Sequence, residues 1–168
     1  MGVATFQNTV NVQLSFGVVG EILNDGPMRT ESLILDTTGG SVGLAFTKSN
    51  TTNVATQGGT GVFAGILINP KSLPGFAPAS GFPIDPSLVV PAGNQAEFMT
   101  MGTIIVALTG AGNIGDIIQF NQTTGALSAK APGSAADAGN TLIPNTVIYR
   151  FPTTAAGLVA IRMAAFTA

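Results

Sequence analysis

The sequence predicts an all-β fold: a single-domain β-barrel or tulip-like sandwich with a long Pro-rich loop. Short runs rich in Val, Ile, Thr and Phe, the residues that strands prefer, recur along the whole chain and are separated by turn residues. The 22 Gly and 10 Pro interrupt any helix longer than about two turns. With 168 residues, of which 45% are hydrophobic, the chain is long enough for one domain with a substantial core.

The first predicted strand covers residues 10–18, where apolar and polar side chains alternate with a period of two. Residues 1–9 precede it as an N-terminal arm or, alternatively, as a frayed terminus, and residues 10–168 form the predicted β domain. The other predicted strands are 31–36, 42–48, 62–68, 95–101, 103–109, 116–121, 125–130, 146–151 and 158–166. Residues 131–139 could hold a short helix.

Residues 69–91 differ from the rest of the chain because they contain six Pro together with Phe76 and Phe82. This segment is too rich in Pro for a central strand. It forms either a binding arm stiffened by Pro or a loop that folds over its own barrel. The aromatic residues within strand patterns, namely Phe16, Phe46, Phe63, Phe98 and Phe120, are predicted to be core residues. The candidates for an interface are Phe6, Pro70, Phe76, Phe82 and Phe151.

The composition argues against most functions that need ionic or nucleophilic chemistry. Charged residues make up only 8% of the chain, and Cys and His are absent, which removes Ser/His/Asp and Cys/His catalysis. The six basic residues are scattered, so no footprint for nucleic acid is predicted. No motif indicates a metal, a cofactor, a signal peptide or a membrane span, so the sequence predicts a non-enzymatic protein made in the cytoplasm. Such a charge-poor surface favours coverage by other subunits and a symmetric homo-oligomer.

Residues 110–115 match the dinucleotide-binding pattern G-x-G-x-x-G and follow a predicted strand. That pattern requires a helix to begin inside it and an acidic residue about 20 positions later. Here residues 116–121 are predicted to form another strand, and Lys130 occupies the position of the acidic residue. The segment is therefore interpreted as a glycine-rich hairpin loop.

Several pieces occur in an order that resembles the phage head cement, or capsid decoration, proteins. They are GVVGEI (17–22), GVFAGIL (61–67) leading into NPK (69–71), VPAG (90–93), GDI (115–117) and NQTTGAL (121–127). The resemblance extends from about residue 10 to residue 130. It implies a virion structural protein on the outer surface of the phage head. The resemblance also implies that the protein binds the assembled major capsid protein and forms a homotrimer or a homodimer. Its binding would stabilise the shell against internal DNA pressure.

Two other kinds of protein fit the same composition. A phage tail-tube or baseplate subunit would also be β-rich and poor in charge, and a carbohydrate-binding module is weakly supported because Trp is absent and Tyr occurs once. With so few charges, apolar contacts should dominate capsid binding. We therefore expect the binding to survive high salt, because salt screens exposed charges but does not weaken apolar contacts.

Overall fold

The computed structural model of the protein describes residues 16–69 and 89–164. These residues form twelve strands and no helix, which confirms the predicted all-β class. The strands are β1 (Ile22–Leu23), β2 (Arg29–Leu35), β3 (Gly40–Ser41), β4 (Ala45–Lys48), β5 (Val54–Gln57), β6 (Val62–Leu67), β7 (Val89–Val90), β8 (Gln95–Leu108), β9 (Ile117–Asn121), β10 (Leu127–Lys130), β11 (Asn140–Arg150) and β12 (Gly157–Met163).

The longest strand, β8, is shared by two closed sheets. Its first half pairs with β2 and β6, and the circle β8–β2–β5–β4–β6 closes through the pairs Ile66–Met99 and Leu67–Phe98. Its second half pairs with β12, and the circle β8–β12–β11–β9–β10 closes through the parallel pair Leu127–Leu108. We call these two sheets the N-barrel and the C-barrel. The predicted β-barrel is thus confirmed, in a form with two barrels fused along one strand.

Alternating side chains along β8 explain how both interiors are filled. Phe98 points into the N-barrel, where its ring centroid lies 5.0 Å from that of Phe46. Ile104 and Val106 point into the C-barrel among buried aliphatic side chains. Met99, from the N-barrel half of β8, belongs with Ala45 and Ile66 to the same buried cluster as the C-barrel residues, so residues of the N-barrel strands pack against the C-barrel.

The outward side of the C-barrel half of β8 is covered by the chain that precedes β1. Ile105 is fully buried although its neighbours in sequence fill the barrel interior. The Gly20 N–H donates to the Ile105 carbonyl oxygen at 2.8 Å, and the Ile105 N–H donates to the Glu21 carbonyl oxygen at 2.9 Å. These bonds hold residues 17–21 against the strand, and they fix where Phe16 emerges on the surface.

Some predicted elements differ from the observed ones. The predicted strands 95–101 and 103–109 are one strand, because Gly102 (φ 129°) lets β8 continue where its partners change. Residues 16–18 are not a strand, and the rest of the predicted strand 10–18 lies outside the described residues. The short strands β1, β3, β5 and β7 were not predicted, and β7 lies within the 69–91 segment, whose residues 70–88 are likewise not described.

The short helix suggested for residues 131–139 is wrong. The segment forms turns, one of them closed by the Ser134 N–H donating to the Ala131 carbonyl oxygen at 3.1 Å. Asp137 ties it to the barrel, since its carboxylate accepts from Gln119 at 2.6 Å and from Lys130 at 2.8 Å. The Asp137 N–H also donates to Gln119 Oε1 at 2.9 Å. Pro132 and these tertiary bonds prevail over a local helix.

Candidate functional site

The surface of the C-barrel carries the two exposed Phe rings of the described residues, together with the single Tyr and two Arg. On β12 the side chains of Val159, Ile161 and Met163 point inward, so Arg162 points outward beside the end of β11. The neighbouring surface is covered by the turn after β1 and by the residues before β1. We call this surface the aromatic–arginine patch; it consists of Phe16, Asp25, Tyr149, Arg150, Phe151 and Arg162.

The two arginines of the patch surround a single carboxylate and the only Tyr of the chain. Asp25 Oδ2 lies 3.6 Å from Arg150 Nη2 and 3.5 Å from Arg162 Nη2. The Arg162 guanidinium lies over the Tyr149 ring at 3.5 Å from its centroid, and the Arg150 guanidinium at 4.7 Å. The hydrogen bond from Arg150 (3.2 Å), followed by that from Arg162, lowers the pKa of the Tyr149 hydroxyl below its usual value. The group carries a local charge of about +1, because two cations share one anion.

Phe16 and Phe151 form the apolar part of the patch. Their rings stack with centroids 3.9 Å apart at an interplanar angle of 22°, yet Phe16 remains 42% exposed and Phe151 38%. Phe151 has φ of 60°, a left-handed conformation that is unusual for a bulky residue and costs about 1–3 kcal/mol. Strain of this kind at an exposed ring is typical of positions kept for an interaction.

The glycine-rich loop 110–115 holds the chain on both sides of Phe151. Gly112 and Thr153 exchange two backbone hydrogen bonds of 2.8 and 2.9 Å, and the Gly115 N–H donates to the Ile148 carbonyl oxygen at 2.9 Å. As predicted, the loop lies between two strands. It is not a hairpin, however, because β8 and β9 pair with other strands and not with each other. Gly112 thus permits a close approach to the segment 148–153, since a Cβ there would lie 2.5 Å from Ile148 Cδ1.

The patch contains only one of the residues proposed from the sequence. Phe151 is part of it, whereas Phe6, Pro70, Phe76 and Phe82 lie outside the described residues. The prediction that Phe16 is a core residue is wrong, while Phe46, Phe98 and Phe120 are buried as expected. Tyr149, Arg150 and Arg162 were not proposed. The available signal was the run Tyr149-Arg150-Phe151, which joins the only Tyr to an Arg in a chain with three Arg.

The described residues offer little that would serve chemistry inside a cleft. Within the ranges 16–69 and 89–164, no group of three or more acidic side chains is placed to hold a metal ion. No helix in those ranges is long and apolar enough to cross a membrane. The distinctive features are the exposed rings and the guanidinium groups of the patch. The fold is all-β, and the exposed rings and guanidinium groups of the patch favour contact with another macromolecule.

Comparisons with known proteins identify the family. The family model described as "Structural cement protein (E217 gp24/Pam3 gp6)" matches residues 6–164, so the chain belongs to the structural cement proteins of phage heads. A chain from the solved structure "The capsid of Myoviridae Phage XM1" is similar in fold, with a TM-score of 0.68 and 17% sequence identity over 96% of this chain and 99% of that one. No curated protein matches.

The protein is therefore a capsid cement, or decoration, protein of a phage virion, and the expectation drawn from the sequence motifs is confirmed. Its family is a structural one and associates with the capsid. The matching family is not one of tail-tube or baseplate subunits, which was the alternative.

Proposed function

We propose that the protein binds the outer surface of the assembled major capsid protein shell and stabilises that shell against the pressure of the packaged DNA. The membership of the cement family carries this proposal. A protein that binds the assembled shell, and not the separate subunits, shifts the equilibrium toward the assembled state by mass action. A cap that contacts two neighbouring capsid subunits adds contact area where the subunits would otherwise separate.

The aromatic–arginine patch is our candidate for the contact with the capsid. Interfaces derive most of their binding energy from a few aromatic and Arg residues. The patch combines the Phe16–Phe151 ring pair with Tyr149 and two arginines, and the consecutive residues 149–151 connect the two groups. The stacked rings and the guanidiniums over Tyr149 already contact one another within the protein, and such contacts reduce the entropy lost on binding. Phe6, Pro70, Phe76 and Phe82 remain candidates for the same contact.

We further propose that the protein acts as a homotrimer, with a homodimer as the alternative. Ile34 and Val54 are neighbours in register on β2 and β5, and both are substantially exposed. Uncharged aliphatic side chains on the N-barrel suit contact between copies better than they suit exposure to water. An oligomer would also multiply weak contacts with the shell, because each tethered copy experiences a high effective concentration of its site.

The first test is co-sedimentation of the purified protein with expanded capsids that lack it. We expect saturable binding to capsids and little binding to unassembled capsid protein. The variant Phe151→Asn should raise the Kd for capsids about tenfold or more, because it removes the exposed ring while Asn tolerates a left-handed backbone.

The matched control is Val62→Ala, which removes exposed apolar atoms from β6 of the N-barrel, whereas the patch lies on the C-barrel. It should leave the capsid Kd within about twofold, provided that sedimentation velocity finds its oligomeric state unchanged. If Phe151→Asn bound like the parent protein, the patch would lose its assigned role. If the parent protein failed to bind capsids, the outer-surface proposal itself would be rejected.

The oligomeric state is tested separately by analytical ultracentrifugation of the protein alone. We expect a discrete species with three times the 16.9 kDa chain mass, and replacing Ile34 and Val54 together by Ser should shift it toward the monomer. A monomer at every concentration in the micromolar range would contradict the homotrimer. Self-assembly into long tubes would be the behaviour of a tail-tube subunit.

A further inference from the structure

We propose that Arg150 and Arg162 receive a carboxylate from an acidic side chain of the major capsid protein. This inference rests on the proposed function, because it assigns a chemical group to the partner at the aromatic–arginine patch. The ligand is therefore an Asp or Glu on the shell, which the two guanidiniums would hold together beside the Tyr149 ring.

The two arginines retain hydrogen-bonding capacity that the contacts among residues 16–69 and 89–164 do not use. A guanidinium has five N–H donors in a fixed planar fork. Asp25 approaches each of the two at no closer than 3.5 Å, and the hydrogen bond that Arg150 makes to Tyr149 is 3.2 Å long. The arginine side chains remain 49% and 42% exposed. Donors of an ordered guanidinium that face water are suited to a bidentate contact with an incoming carboxylate.

Tyr149 makes this pair a prepared site and not merely two mobile surface arginines. Both guanidiniums lie against its ring, and the negative face of an aromatic ring attracts a guanidinium. The ring therefore restricts the rotamers of both side chains before the partner arrives. Arg162 is also anchored by its place on β12, where the backbone pairs with β8 on one side and with β11 on the other.

The sign of the charge selects the partner. The patch carries about +1 although the chain as a whole carries −2, so its electrostatic preference is opposite to that of the rest of the protein. A twofold contact between two copies of this patch would bring four guanidiniums together with only two carboxylates. Like charges at an interface are unfavourable, so a second copy is a poor occupant. An acidic group on the shell would neutralise the patch.

The test compares capsid binding by the parent protein with binding by the double variant Arg150→Gln/Arg162→Gln. Both are measured between about 0.1 M and about 1 M salt, because the Debye length falls over that range from about 10 Å to about 3 Å. We expect the double variant to bind about tenfold more weakly at the lower salt concentration and within about threefold of the parent at the higher one. The stacked Phe rings should keep the parent protein bound at high salt. Arg29→Gln is the control, because Arg29 makes no ion pair with any other described residue; it should change the affinity less than twofold.

A second variant identifies the acidic group directly. Arg162→Lys introduces a primary amine at the site, which a zero-length carbodiimide couples to a carboxylate in contact with it. We expect mass spectrometry to find a peptide that joins position 162 to an Asp or Glu of the capsid protein. Coupling to Asp25 alone, in a variant that still binds capsids, would overturn the inference.

The outcomes separate the two proposals. If the double variant bound like the parent at every salt concentration, or if its loss of affinity were the same at low and high salt, the carboxylate site would be rejected while capsid binding stood. If the parent protein did not bind capsids at all, the proposed function would fail first.

Discussion

Replacing Phe98 with alanine is expected to lower the free energy of unfolding by about 3–5 kcal/mol, the usual cost of removing a fully buried aromatic side chain. Phe98 has no exposed surface, and its ring packs against Phe46 in the centre of the N-barrel. It also lies in the pair Leu67–Phe98, which closes that barrel. Urea denaturation followed by circular dichroism, at one fixed protein concentration, measures the loss.

The same experiment tests whether the barrels unfold together. Tyr149 is the only Tyr, the chain has no Trp, and Tyr149 lies on the C-barrel, so its fluorescence reports on the barrel that does not contain Phe98. We expect the fluorescence and circular dichroism transitions of Phe98→Ala to shift by the same amount. Val62→Ala, at a 56% exposed position, should shift neither by more than about 0.5 kcal/mol. A Tyr149 transition that stayed at the parent midpoint would show independent barrels.

Replacing Gly65 with alanine is the second change with a large expected effect. A Cβ at this position would lie 2.6 Å from the Met99 carbonyl oxygen and 2.9 Å from Phe98 Cβ, and the backbone φ of 133° favours Gly. Overpacking and backbone strain together should cost about 2–5 kcal/mol, because the neighbouring atoms belong to the β6–β8 seam and have little room to move. The loss is measured by the same urea denaturation.

Gly110→Ala is the matched control for that change. A Cβ there would meet no atom within 4 Å, so the free energy of unfolding should change by less than about 1 kcal/mol and in either direction. Equal losses at the two positions would mean that the loss reflects the general effect of replacing Gly with Ala. It would then not depend on the close contact between β6 and β8. A small loss at Gly65 alone would show that the seam can open without cost.

The sequence predicted the strands that have a regular apolar pattern, but it could not predict how they close. The runs around Leu33 and Ile148 lie in observed strands in which buried and more exposed residues alternate, and the run around Phe46 lies in β4, where Ala45, Phe46 and Thr47 are all buried. The fusion of 95–101 and 103–109 into β8 depends on partners far away in the chain, which local periodicity does not reveal. The two-residue strands β1, β3 and β7 are too short to leave a pattern.

The patch was harder to predict for the same reason. Phe16 alternates with polar neighbours and was assigned to the core, whereas its position is determined by the backbone bonds that hold residues 17–21 on β8. Asp25, Arg150 and Arg162 meet because the turn after β1 lies beside the β11–β12 pair, and no spacing in the sequence encodes that contact. Phe151 is the candidate from the sequence that lies in the patch, but nothing in the local sequence predicts its left-handed backbone.

The strand that belongs to both barrels has a mechanical consequence. A force that draws the N-barrel away from the C-barrel along β8 is carried by the covalent backbone of that strand, since residues 95–108 run without interruption from one barrel into the other. The neighbouring strands are then loaded in shear, because their hydrogen bonds lie across the direction of pull and must slip together and not open one after another. A protein that contacts two parts of a shell under tension would in this way resist their separation, because the covalent backbone of one strand connects its two barrels.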